Sequence, residues 1–300
     1  MRKLLFLSLL SLASLALAQS EVRVRYVNVP ADAFPAQDPL AALWQRAPVT
    51  RVTLLPQTVT TPSLTAPSVP WLEVQALHNG TQVAFLLRWP DATRNASIDV
   101  DRFTDAVAIE LPLDHQAPPS FMMGHPGGRV HIIHWKAIWQ EDLDQGFQDV
   151  ASLHPNYWVD LYFFADTPVP LYAEGEFPHH PAARSFKTPE ALAQLSGAYV
   201  RNPVSILDRR VPVEEAMAEG FGTLTSQPKQ NATGRGVWAG GQWQVVISRP
   251  LVTDDALDAQ LGPGLRSVIA FAVWDGGQQN VGARKHYAPW VPLVFEELPQ

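Results

Sequence analysis

An all-β fold, an antiparallel β-sandwich with a few short helices and a long loop-rich insertion, is predicted by three features of the chain. Two apolar-rich runs, Leu72–Leu77 and Gln82–Trp89, flank Asn79-Gly80, a dipeptide suited to the positive-φ positions of a tight hairpin turn. A second pair, Gly236–Trp238 and Trp243–Ser248, flanks Gly240-Gly241. The third feature is composition: 10 Trp, 27 Pro and 18 Gly, with few stretches of helical period, favour many strands joined by tight turns.

From the N-terminus, Met1-Arg2-Lys3, an apolar run from Leu4 to Leu17, and Ala16-Leu17-Ala18 ahead of Gln19 form the charged, apolar and small-residue regions of a secretory signal peptide. Residues 1–18 are therefore set apart from a folded domain over 19–300. No later run reaches the ~20 apolar residues that span a bilayer, so a periplasmic or otherwise exported protein with no membrane span is expected.

Glu21–Val29 alternates apolar and polar residues, the period of a half-buried strand. Asp38–Trp44 is a short helical or turn element that delivers Trp44 to the core, and Arg51–Leu55 is a strand. After the first hairpin, a polar connection from Asp91 to Asp105 leads into a strand over Ala106–Leu111. A Gly/Pro-rich turn follows, and Val130–Trp139 then predicts one long strand.

From Gln140 to about Pro228 the chain turns acidic, Pro-rich and small, interrupted by Tyr157–Phe164. This predicts an insertion wrapping the main domain, with a short helix over Val213–Glu219 ended by Gly220; its length makes it a functional or partner-facing segment. Past the second hairpin, Thr253 caps a predicted helix over Asp254–Leu261, with acids in its first turn and Gly262 at its end. Ser267–Trp274 is a buried strand turned by Asp275-Gly276-Gly277, and Val291–Glu297 closes the sheet.

Several chemistries are excluded. There is no Cys, so the fold is held by its core, and thiolate catalysis, iron–sulfur clusters and covalent haem attachment are all ruled out. Removing Arg2 and Lys3 leaves 20 basic residues against 29 acidic, a net charge of −9 that argues against nucleic acid and anionic lipid as partners. No nucleophile elbow and no phosphate-cradling glycine loop is present. Among the nine His, His131 and His134 are three apart in a predicted strand, hence on opposite faces and unsuited to a zinc pair. His179-His180 falls in a Pro-rich loop. Asp142 with Asp144, and Glu214 with Glu215, sit in polar runs expected to form solvated faces.

What remains is the turn Phe121-Met122-Met123-Gly124-His125-Pro126-Gly127-Gly128. Met is ordinarily a core gap-filler. Here two of only four Met stand in a glycine-rich bend that runs into an apolar strand, so their thioethers are placed at the mouth of a core where a soft metal donor could stand. Near the C-terminus, Arg284-Lys285-His286 follows the Trp274-Asp275-Gly276-Gly277 turn. A Lys beside a sheet end is ordinarily a surface charge, and becomes a ligand only if metal displaces its proton. The Trp residues could line a sugar-binding groove, but most stand within apolar strands, where the core is their ordinary place.

Taken together, Ala76–Gly80, Asp101–Ala108, Met123-Gly124 followed by Val130–Lys136, Gly220–Thr225, Trp243–Val246, and Phe271–Gly277 with Arg284-Lys285 resemble the haem b (gamma) subunits of the ethylbenzene dehydrogenase family. That group includes those of dimethylsulfide dehydrogenase and of selenate and chlorate reductases. The resemblance spans roughly 40–297. It implies a β-sandwich cytochrome with one non-covalent haem b between a Met and a Lys. Such a subunit relays electrons between a molybdenum-containing catalytic subunit with its iron–sulfur subunit and a soluble cytochrome or similar carrier. Carried onto this chain, the ligands are Met123 and Lys285, with Gly124, Trp135 and Arg284 also in the haem site. Met122, His125 and His131 compete with Met123, and Lys136 and Lys229 with Lys285. An exported carbohydrate-binding β-sandwich module is the alternative.

Overall fold

The computed structural model describes residues 21–148, 150–156 and 209–299, with short stretches between 189 and 206. The signal segment, the Tyr157–Phe164 run and His179-His180 lie outside the described residues.

The all-β class holds. Among the described residues thirteen strands join in one sheet: β1 (Val22–Tyr26), β2 (Thr50–Thr53), β3 (Leu55–Pro56), β4 (Trp71–His78), β5 (Gln82–Pro90), β6 (Ala106–Pro112), β7 (Val130–Lys136), β8 (Val213–Ala218), β9 (Thr225–Ser226), β10 (Thr233–Ala239), β11 (Gln242–Pro250), β12 (Arg266–Trp274) and β13 (His286–Phe295). Their spatial order is β10-β11-β5-β4-β1-β13-β12-β6-β7-β8-β9, with β2 added to β4 and β3 to β13. Both expected hairpins are present, β4–β5 around Asn79-Gly80 and β10–β11 around Gly240-Gly241.

Pairing is antiparallel except at β1, which lies parallel to both neighbours, Val24 opposite Ala76 and Val22 opposite Leu293. It is the seam between two antiparallel arms, and its Val22 and Val24 are buried in the shared core. The arms curl until their far ends meet. Trp135 of β7 lies edge-on to Trp243 of β11 at 5.0 Å, and Trp243 stacks on Trp89 of β5 at 6.2 Å. Aromatic pairs of this kind add to the burial of their area. Gly236 of β10 is what permits the closest approach, since a Cβ there would stand 2.5 Å from the Trp135 ring. Gln140 ties the junction, its Oε1 accepting from Trp135 Nε1 at 3.2 Å and from the Gly236 N–H at 2.6 Å.

Three local expectations are corrected. Val130–Trp139 is not one strand: β7 ends at Lys136 and Ala137–Gln145 is helix α1, whose Ile138 N–H is capped by Thr104 Oγ1 at 2.9 Å. Val213–Glu219 is not a helix but β8. Its Glu, Ala and Met favour a helix locally, yet pairing along the whole length of β7 outweighs that preference. Asp254–Leu261 is a chain of turns. There the Thr253 hydroxyl accepts from the Asp255 N–H at 3.3 Å but also binds the buried Asp258 carboxylate at 2.7 Å, and the Leu261 N–H returns to the Leu251 carbonyl at 2.8 Å, so the segment closes on itself instead of winding on as a helix. Glu214 and Glu215, expected on a solvated face, are buried.

Because Trp135 fills the junction of the two arms, Trp135→Ala is expected to lower unfolding free energy by ~3–5 kcal/mol. Urea denaturation followed by circular dichroism would measure it, and a loss below ~1 kcal/mol would show that the arms do not depend on this contact.

Candidate functional site

Strand alternation gives the β7-β6-β12-β13 region two apolar faces. On one, Val107, Ile109, Ile133, Trp135, Phe271 and Val273 belong to the main core. On the other, Ala106, Ala108, Ile132, Ala272 and Trp274 form a separate cluster against which Met123 and Trp290 pack. Ala108 lies directly opposite Ala272. Side chains reduced to a methyl group leave this second face open, and over it lies a cavity of ≈ 360 Å³.

The cavity is walled by segments far apart in sequence: Phe121 to Met123, Phe221 to Leu224, and Gly282 to Lys285. The Met turn is fixed to β13 by stacking of Phe121 on Tyr287 at 5.9 Å and by the Trp290 indole N–H, which donates to the Pro119 carbonyl at 2.7 Å. Within the turn the Gly124 N–H donates to Ser120 O at 2.8 Å, and the Gly220 N–H to Met123 O at 2.7 Å. Gly124 has φ 77°, and a Cβ on it would meet Gly128 O at 2.4 Å, so no other residue fits. Met123 also has positive φ, 66°, a conformation rare for residues with a side chain and found where structure over-determines it.

Five ionisable or coordinating groups meet in the cavity. Lys285 is half-buried with Nζ 5.1 Å from the Trp274 ring centroid; burial lowers its pKa, opposed by the charge of Glu110. Burial pushes the Glu110 carboxyl up to about 8, opposed by Lys285 and by the Met123 backbone N–H. His134 stacks on Trp274 at 4.6 Å, its Nε2 has no hydrogen-bond partner, and burial holds its pKa well below the usual imidazole value. With Met122 and Met123 these form a mixed sulfur and nitrogen donor set in apolar surroundings.

The structure therefore brings Met123, Met122 and Lys285 to one cavity, with Gly124 shaping the turn beneath it. The other predicted positions lie elsewhere. Trp135 is on the core face of β7 and does not line the cavity. Arg284 points its guanidinium to the Gln279 carbonyl at 3.3 Å. His125 is exposed. Lys136 is engaged by Glu214 and lies 4.0 Å over the Trp139 ring, and Lys229 pairs with Asp254 at 2.8 Å on the surface.

His131, one strand position from the cavity-lining Ile132, faces the opposite way as expected. It joins a buried ion network, its Nε2 3.3 Å from Glu215 and 3.5 Å from Asp258, with Arg249 3.3 Å from Asp258. His134 was missed as a candidate because it was considered only as half of a zinc pair. Alternating Ala-x-Ala at 106–108 and 270–272, facing one way, was the available signal for an open second face.

A family profile described as ethylbenzene dehydrogenase matches residues 41–286. The chain belongs to the ethylbenzene dehydrogenase family. Among relatives of this family member, the chlorate reductase gamma subunit of Ideonella dechloratans is 25% identical over 285 residues, covering 93% of this chain and 87% of that one. A Haloferax mediterranei protein named for a respiratory nitrate reductase heme subunit is 21% identical over 291 residues, covering 95% and 79%. Of solved structures, a family 9 carbohydrate-binding module of Caldicellulosiruptor kristjanssonii in complex with glucose aligns over 93% of this family member and 97% of the module, at 7% identity and a TM-score of 0.41. That likeness is too low to bear on ligand or function. No Trp is exposed among the described residues, so the open indole platform of a sugar groove is not found there.

The His131 network generates a pH prediction. Burial raises the Glu215 pKa, but the His131 contact and the Ala232 and Asn231 backbone N–H groups outweigh it, leaving the group below its ordinary 4.5. A depressed carboxylate stabilises the fold above pH 4.5, and that contribution is lost as pH falls through the lower folded value. Glu215→Ala should lose ~3–5 kcal/mol at neutral pH, because partners are left unpaired, and should show a shallower decline on acidification. Parallel slopes for the two proteins in acid urea titrations would contradict this.

Proposed function

We propose that this chain is a b-type haem subunit that relays electrons and performs no substrate chemistry of its own, and that Met123 and Lys285 would hold the haem iron. The observation that carries it is the convergence, on one methyl-floored cavity, of a thioether turn and a lysine whose proton is weakened by burial. Membership of the family and a relative named as a heme subunit support the same reading.

The residues fit such a group. Ala108 and Ala272 leave room over a flat sheet face, and a non-covalent porphyrin needs apolar walls of this kind because the chain has no Cys to tether it. When bound, haem supplies an iron that alternates between ferrous and ferric states. Met123 offers a soft donor that favours ferrous iron and raises the potential. Lys285 offers, once neutral, an amine that favours the ferric state, and desolvation shifts it toward that form. With Met123 and Lys285 both holding the group, it would be suited to electron relay and not to binding oxygen. Glu110, in the same cavity as Lys285, would tune the potential as it gains or loses its proton.

The subunit would be exported and would dock to a molybdenum-containing catalytic subunit with an iron–sulfur subunit. A soluble cytochrome or similar carrier would meet the exposed side. A second reading keeps Lys285 and replaces Met123 by His134, favoured by the unpartnered Nε2 in the same cavity.

Haemin titration of the apo-protein should produce a low-spin Soret band. Met123→Ala should shift that spectrum and lower the potential, Lys285→Ala should raise the potential or leave a five-coordinate iron, and His134→Ala should leave the low-spin band in place. Absence of any Soret band rejects the proposal. A spectrum indifferent to Met123→Ala but altered by His134→Ala selects the second reading.

A further inference from the structure

Away from the cavity, three acidic side chains meet at the strand ends. Asp91 follows β5, Asp105 precedes β6 and Asp275 follows β12. All are buried, and carboxylate oxygens from the three lie within 4.8 Å of one another. Neutral donors reach all three, though only one oxygen of Asp91, whose Oδ1 accepts from the Thr93 N–H at 3.1 Å. Asp105 accepts from the Asn95 N–H at 2.6 Å, the Trp243 indole at 2.9 Å and the Gly276 N–H at 2.8 Å, and Asp275 accepts from the Ser68 hydroxyl at 2.6 Å and the Gln278 N–H at 3.1 Å. Asp91 is only 3% exposed, and its Oδ2 has no hydrogen-bond partner. Among the described residues no Lys or Arg forms an ion pair with any of the three. The nearby base His286, whose ring nitrogen accepts from the Ser68 and Val69 N–H groups, is itself kept from charging by burial.

Burying several carboxylates against one another without a cation is among the costliest arrangements available to a fold. The surroundings supply more oxygen. Asp91, Thr93 and Asn95 place oxygen-bearing side chains at alternate positions of one loop, the spacing seen in the first half of calcium-binding loops. At Gly277 a Cβ would stand 2.6 Å from Thr93 Oγ1, 3.0 Å from Asn95 Oδ1 and 3.3 Å from Asp275 Oδ1, so the glycine leaves open a space ringed by oxygens. No sulfur or imidazole is among the three acidic donors, which disfavours zinc or copper and favours a hard cation.

We propose that Asp91, Asp105 and Asp275, with Thr93 and Asn95 beside them, bind a divalent cation of the calcium class. The site would clamp the two arms of the curled sheet, β5 from one and β6 with β12 from the other. It would also anchor the start of the loop that runs from Asp275 to Lys285. It does not depend on the cavity holding haem.

The test uses the full-length protein as purified. Metal analysis before and after dialysis against EDTA, with thermal melting at millimolar CaCl2, should show bound calcium and a melting temperature raised by about 5 °C on calcium addition. MgCl2 should act more weakly, since the site is loop-built and asymmetric. Asp91→Asn should abolish the calcium-dependent part of the shift. A melting temperature unmoved by EDTA, calcium and magnesium overturns the proposal, whether or not the variant folds. So does an Asp91→Asn protein that is more stable than wild type and equally responsive to calcium, because the acids would then be sharing protons.

Discussion

The period of two along β6 and β12 is the constraint from which the rest of this molecule follows. Each strand must satisfy two apolar surroundings at once. Val107, Ile109, Phe271 and Val273 fill a conventional core, whereas the positions between them are cut back to Ala106, Ala108, Ala270 and Ala272. A one-residue slip would exchange the two sets and place large side chains where the cavity now lies. The pairing of Ala108 with Ala272 and of Val107 with Val273 therefore fixes register and cavity together.

Burial then determines the charge behaviour of the groups placed around this frame, with opposite results in two places. In the cavity, desolvation dominates: Glu110 is driven up, and Lys285 and His134 are driven down, because few partners reach them. At Glu215, on the other face, the His131 ring and the Ala232 and Asn231 N–H groups reach the carboxylate and reverse the effect of burial. The distinction separates a site kept poor in hydrogen bonds, where a neutral amine is accessible, from a structural network that holds its charges.

Much of this was legible in the sequence, and what was not has identifiable physical reasons. Asn79-Gly80 and Gly240-Gly241 encode their hairpins locally, and the glycines around Met123 announced a turn at the mouth of a core. Lys285 could be matched to the Met turn only through family resemblance, because the two are joined by tertiary packing of Phe121 on Tyr287. The β8 strand was hidden by helix-favouring residues whose conformation is set by β7. Trp135 was expected in the site through the resemblance of the Val130–Lys136 segment, yet it points to the face opposite the cavity-lining His134. The parallel placement of β1 is a decision of topology that its alternating pattern does not carry.

The doubled methionine leaves one question of register that backbone geometry addresses. Both Met122 and Met123 line the cavity, so proximity does not separate them. Only Met123 is held at positive φ, between a carbonyl bonded to Gly220 and a following glycine that no side chain could replace. A left-handed conformation at a residue with a Cβ costs roughly 1–2 kcal/mol, which glycine at the same position would avoid. On the proposed function, the thioether that would hold the haem is the reason for a methionine to stand there instead. Met122, in ordinary backbone and part-buried beside it, needs no such reason and is accounted for by packing.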